Sequence, residues 1–333
     1  MQRQYKFITS AIGLTCGLSL FTYFEANKNT QHQPNTAALK SHYNINQIPT
    51  SLTRVLNDYQ YTPNQHVAIL ALLKIYGEKE IKDCQNSSET NVWLKEVTQH
   101  RFLRKGERWD AANQEKEQRI LKAAPQIEQI TQLLGMQESL RPPASVQKHI
   151  AIIPGATEGR VKSRINLLKQ SIAEGRQPTK IIVATGFRTL QDNEAPEITD
   201  PKQRTEAYMA EMLLLKSKIN IPYQILAKSV KGNIDRSNTV DTAEFIQEDP
   251  CFDHADVIVY IEQPFTRRFE LIFKTQLQMR DTKIYPFSNP IDSNQPKYWI
   301  GDEQARRIYY LFPSLDKQYR EEKTHHSIDK RTP

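Results

Sequence analysis

Four short polar clusters carry the residue types that could do chemistry. The first holds Gly155, Glu158, Arg160 and Arg164. The second holds Gly186, Phe187 and Arg188 and continues to Thr205-Glu206. The third holds Ser237, Asn238, Thr239 and Asp241, and the fourth Glu262, Gln263, Arg267 and Arg268. A guanidinium group binds phosphate or carboxylate by two parallel hydrogen bonds. Arg160 and Arg164 stand four residues apart, so a helix would present both on one face. Glu206, Asp241 and Glu262 are candidate general bases or oxygen ligands to a hard cation such as Mg²⁺. These types together point to an anionic, phosphate-bearing ligand. Each residue also has a plain structural use: Thr157 and Ser237 as helix caps, Asp241 and Glu206 as partners of helix dipoles, Arg267 and Arg268 as solvated charges.

The elements that would position these clusters are legible as apolar runs. Ile150 to Ile153, Lys180 to Gly186, Tyr223 to Leu226, Val257 to Ile261 and Lys283 to Tyr285 read as buried strands. Helical periodicity lies between them. Val161, Ile165, Leu168 and Ile172 share one face, as do Tyr208, Met212 and Leu215 in the helix from Thr205 to Lys216. Thr239 to Gln247 is a shorter helix, and Phe269, Ile272, Phe273 and Leu277 point inward from another at Thr266 to Leu277. Strands alternating with helices predict an α/β fold: a three-layer, Rossmann-like parallel sheet with helices on both faces. In such a sheet ligands bind outside the carboxyl ends of the strands, which is where all four clusters fall. The glycine turn at Gly155 would aim backbone N–H groups and a helix dipole at the ligand. The loop between Phe187 and Glu206, with Asp192, Glu194, Glu197 and Asp200, reads as a candidate lid.

Helices also precede the sheet. Leu52, Val55, Leu56 and Tyr59 share a face, Val67 to Ile75 is strongly apolar, Trp93-Leu94 marks a third helix, and Ile120 to Leu134 shows helical spacing. Pro125 would kink that last helix or start a new one. A C-terminal helix is expected over Glu303 to Tyr319, with a charged, frayed end from Glu321. The organisation expected is an N-terminal segment at 1–26, a linker at 27–49, a helical accessory region at 50–145, an α/β domain at 146–320 and a charged tail at 321–333.

In order and spacing, the clusters resemble the YdcF/SanA/ElyC-like proteins, a bacterial group of Rossmann-like fold. The matching features are Gly155 with Arg160 or Arg164, Ala184-Thr-Gly186 followed by Thr205-Glu-Ala207, Ser237-Asn-Thr-Val-Asp-Thr242, and Glu262-Gln-Pro-Phe-Thr-Arg-Arg268. The resemblance covers about Lys148 to Pro286. Phe265 stands where many members carry histidine, so it does not carry over histidine-dependent chemistry. It implies a place in the cell envelope and in peptidoglycan maintenance, with S-adenosylmethionine binding in one branch.

The N-terminus agrees with an envelope address. Arg3 and Lys6 precede an uncharged stretch from Phe7 to Phe24, the order of a signal or anchor. An uncleaved inner-membrane anchor with the soluble part in the periplasm is expected, with secretion after signal cleavage as the alternative. The net charge of +7 favours anionic partners, but the basic residues are scattered and no nucleic-acid-binding pattern is present, so none is expected as partner. Of three cysteines, Cys84 and Cys251 are expected as unpaired thiols. The function expected is binding of an anionic small molecule or lipid-linked envelope precursor; whether it is also hydrolysed is left open, with Glu206, Asp241 and Glu262 as the residues that would do so. A nucleotide- or S-adenosylmethionine-binding protein without hydrolytic activity is the alternative, and an envelope scaffold the third reading.

Overall fold

The computed structural model describes residue 39 and residues 48–78, 80–82, 84–103, 111–228, 239–247, 249–277, 281–293 and 297–329. All of them belong to one compact unit, Thr36–Pro333. The stretch from Phe7 to Phe24 lies outside the described residues; among those described, no helix is long and apolar enough to cross a membrane.

Five helices come first: α1 (Thr50–Asp58), α2 (Pro63–Ile75), α3 (Ser87–Arg101), α4 (Ala111–Lys122) and α5 (Ala124–Leu133). Pro125 lies in the first turn of α5, where its missing N–H costs no helix bond, so it starts a helix instead of kinking one. Gly135 then ends the run with φ +70°.

The α/β part follows: β1 (Lys148–Pro154), α6 (Glu158–Ala173), β2 (Gln177–Gly186), α7 (Glu206–Lys216), β3 (Tyr223–Lys228), α8 (Thr239–Ile246), β4 (Asp256–Tyr260), α9 (Thr266–Leu277), β5 (Lys283–Phe287) and α10 (Trp299–Asp329). The five strands are all parallel and ordered β3-β2-β1-β4-β5. This is an α/β, Rossmann-like sheet preceded by helices. Alternation along β1 sets its two faces. Ala151 and Ile153 pack with α6 and α7, while Ile150 and Ile152 pack with α8 and α9. The order of connection reverses at β1, whose neighbours are β2 on one side and β4 on the other. That reversal opens a crevice between the carboxyl ends of β1 and β4.

Two expectations change here. On α7 the buried face is Ala207, Met209, Ala210, Leu213 and Leu214, whereas Tyr208 and Leu215 are exposed. The helix carries apolar residues on most of its faces, and the face turned to the sheet is the one that holds Ala207 and Ala210. The C-terminal helix begins at Trp299, four residues before Glu303, and continues past Glu321 to Asp329. Its Ile300, Ala305, Ile308, Leu315 and Tyr319 complete the core of the preceding helices, separate from the two sheet cores. The helical layer joins the sheet at β5, where Leu140 and Ser288 form an antiparallel bridge. Cys84 is buried and Cys251 half-buried, and no disulfide joins them.

At the amino end of β1, His149 is buried against Tyr260, with Nε2 2.9 Å from the phenol oxygen, which also lies 2.9 Å from Ser171 Oγ. Burial lowers the His149 pKa to about 4.

Candidate functional site

The carboxyl edge of the sheet is built outward from Gly155. A Cβ there would lie 2.2 Å from Thr185 Oγ1 and 2.3 Å from Glu206 Oε1, so only glycine fits between β2 and the start of α7. Its N–H donates to the Ala184 carbonyl (2.7 Å) and its own carbonyl accepts from Arg164 Nη1 (2.9 Å). This corrects the expectation that the Gly155 N–H would hold an anion: the group is spent on extending the β1–β2 ladder. Thr157 precedes α6 without a side-chain capping bond.

On the β4 side, Arg160 and Arg164 do share a helix face, and both turn toward Glu262 at the end of β4. Arg164 is buried. Its Nε and Nη2 bind the two Glu262 oxygens at 2.8 and 3.2 Å, and its Nη1 donates to the Pro154 and Gly155 carbonyls. Four of its five N–H donors are thus occupied, which makes Arg164 a clamp between β1 and β4. Arg160 differs. Its Nε is 3.7 Å from Glu262 Oε1, and its guanidinium stacks 4.1 Å from the Phe265 ring and 4.7 Å from the Trp299 ring. No hydrogen bond joins it to any described residue, and about a quarter of its side chain is accessible. Burial lowers its pKa from the ordinary arginine value, yet a guanidinium stays charged near neutral pH. Arg268, next along, binds Glu303 of α10 through Nε at 2.6 Å and Nη2 at 3.1 Å. Among the described residues, the carboxylates that Arg160, Arg164 and Arg268 meet are Glu262 and Glu303, and Arg160 is the one without a hydrogen-bonded carboxylate.

On the β2 side the arrangement is closed. Arg188 binds Glu194 through both Nη atoms and Glu206 through Nε at 2.8 Å, and Glu206 also accepts from Thr185 Oγ1 at 2.9 Å. The hydrogen bonds that Arg188 donates to Glu194 are the largest cause raising its pKa above the ordinary value. The loop expected as a lid is tied down. Leu190, Ala195 and Ile198 are buried, Arg204 binds the Gln191, Glu194 and Ile198 carbonyls, and Glu158 accepts from the Ala195 N–H at 2.9 Å. Glu158 thus holds the loop instead of facing a ligand. Lys162 is the first cause holding its carboxyl below the ordinary value, and the Ala195 N–H the second.

The structure thus brings Gly155, Arg160, Arg164, Glu206 and Glu262 to one edge, with Gly186 at the end of β2. Both described carboxylates among the catalytic candidates are engaged: Glu262 accepts from Arg164 at both oxygens, and Glu206 from Arg188 at one and Thr185 at the other. Arg267 and Arg268 leave this edge: Arg268 meets α10, and Arg267 pairs with Glu270 at 2.8 Å. Gln263 is buried beside them. Ser237 and Asn238 lie outside the described residues, and of Thr239 and Asp241 only the placement in α8 is described. Among the described residues, no group of three or more His, Cys, Asp or Glu side chains is placed to hold a metal ion. The residues missed from sequence are Trp299 and Glu303, which arrive from α10, and Glu194, whose partner is set by the loop path. The one local signal was Arg188, directly after a strand end.

Comparison with protein-family models, with curated proteins and with solved structures found no match.

Proposed function

We propose that this chain is a YdcF-like, envelope-associated protein that binds a small phosphate-bearing molecule at the carboxyl edge of its sheet, with Arg160 as the anion anchor. The observation that carries this reading is the state of that guanidinium. It lies against both Phe265 and Trp299 at the crevice where the strand order reverses, with its hydrogen-bond donors unspent. A stacked, preoriented guanidinium loses little further freedom on gripping an anion. The lipid-linked precursor class fits the uncharged stretch from Phe7 to Phe24, which would hold the protein at the membrane with its sheet in the periplasm.

The ion pairing of Glu206 and Glu262 favours binding over hydrolysis, since a carboxylate already accepting from arginine is a poor proton acceptor. A second reading, a nucleotide or S-adenosylmethionine ligand, draws on Phe187. This ring stands at the end of β2 and is 53% exposed, open for a base to stack on.

Calorimetry with geranyl diphosphate and with uridine diphosphate tests the reading on wild-type and Arg160→Gln proteins. The expected result is binding that the variant weakens by about tenfold or more, the worth of one charge-assisted pair. Unchanged affinity in the variant would remove Arg160 from the site. A preference for uridine diphosphate that Phe187→Ala abolishes would select the nucleotide reading.

A further inference from the structure

Arg267, once displaced from the sheet edge, lines two adjoining hollows at the seam between the helical layer and α9. The outer hollow is walled by Gln60, Thr62 and Gln65 from the α1–α2 corner and by Arg267, Glu270 and Lys274 of α9. Arg307 of α10 closes it. Arg267 and Arg307 also line the inner hollow, together with Gln263.

The charges of this place do not balance. Glu270 is shared by Arg267 (2.8 Å) and Lys274 (2.7 Å), so one of those two cations is in excess. Arg307 is the other. Its Nη2 donates to the Tyr59 and Gln60 carbonyls at 2.7 and 2.9 Å, and its guanidinium lies 4.0 Å from the Tyr61 ring centroid. No described acceptor meets its Nε or Nη1. Arg267 and Arg307 are close enough to repel, and burial and that repulsion both lower the Arg307 pKa. Arg268 does not add to the excess, because Glu303 matches it.

Gln263, 3% exposed, lines the inner hollow. The hollow also receives the amino end of α2, whose dipole favours negative charge.

We infer that Arg267, Lys274 and Arg307 form a second anion site, for a phosphate group carrying about two negative charges. A dianion would cancel the excess of two and give Arg307 Nε and Nη1 acceptors. The shared chemistry is a phosphate monoester or free phosphate, whether soluble or a lipid headgroup.

The test uses the full-length chain. Calorimetry with inorganic phosphate and glycerol 3-phosphate probes the soluble source. Flotation with phosphatidylcholine vesicles, with and without phosphatidic acid, probes the headgroup. Binding by either route is expected to fall about tenfold or more in an Arg267→Gln/Lys274→Gln double variant, the scale of two lost charge-assisted contacts. Both side chains are about half exposed, so thermal unfolding should stay unchanged. Arg160→Gln should leave this binding intact, which separates the site from the sheet edge. Wild-type affinity in the double variant, loss in Arg160→Gln instead, or no phosphate or vesicle binding by the wild type would each overturn the assignment.

Discussion

On the β2 side of β1, one arginine stands between two carboxylates; on the β4 side, two arginines share one. Arg188 with Glu194 and Glu206 makes a closed set in which every charged group has a close, hydrogen-bonded partner. Arg160 and Arg164 with Glu262 make an open set, because Arg164 takes both carboxylate oxygens and leaves Arg160 a contact of 3.7 Å. The residue types are the same on the two sides. The ratio differs, and it decides which side fixes a loop and which side keeps a donor for a ligand.

Four variants or conditions would break or sharpen this contrast. The largest effect should come from Arg164→Ala, which takes both hydrogen-bonded donors from Glu262 and leaves it Arg160 at 3.7 Å. Breaking a buried pair in this way costs about 3–5 kcal/mol. Urea unfolding measures it, and a loss under ~1 kcal/mol would mean that the clamp does not hold β1 to β4.

Next is acidification, which acts at the other end of β1. His149 has a folded pKa of about 4 against an ordinary value of 6.5. The unfolded chain therefore binds the extra proton between those values. Stability is complete above the unfolded pKa and falls as pH drops toward the folded one, by about 3 kcal/mol in all. Melting curves from pH 7 to pH 4 should show this slope, and His149→Gln should flatten it. An equally steep slope in the variant would place the titrating group elsewhere.

Gly155→Ala is third. The added methyl group would push Thr185 and Glu206 away from β1, an overpacking of about 1–3 kcal/mol, and should loosen the closed side first. Hydrogen exchange at Ala195, whose N–H Glu158 holds, would report whether the loop opens.

The smallest change in stability is expected from Arg160→Gln, about 1–2 kcal/mol, since its guanidinium stacks on a buried Phe265 ring and a half-buried Trp299 ring but makes no hydrogen bond. Low cost to folding with loss of diphosphate binding is the signature of the open side. A destabilisation as large as that of Arg164→Ala would show the two arginines to be equivalent and the contrast unfounded.

Much of this architecture is legible along the chain. The β-branched runs at Ile150, Ile181 and Val257 mark central strands because a sheet covered on both faces has no polar side to encode. Spacing of four placed Arg160 and Arg164 on one face, and both reach Glu262. The pairing itself is not legible. Arg164 and Glu262 are 98 residues apart, and nothing in either local sequence says that β4 lies beside β1. The α7 face was misread for a related reason: Met209 and Leu213 compete with Tyr208 and Leu215, and only the position of the sheet selects between the two sets.

What the sequence determined by itself is the alternation of strands and helices and the edge to which Gly155, Arg160, Arg164, Glu206 and Glu262 come. These follow from local periodicity and from the rule that parallel strands present their carboxyl ends together. Tertiary structure alone decided how the charges are shared. It brought Trp299 and Glu303 from α10 to the α6–α9 edge, gave Glu303 to Arg268, and left Arg160 stacked without a hydrogen-bonded acceptor. Charge pairing depends on distance in space, at the scale of a single hydrogen bond, and the order of residues along a chain does not specify it.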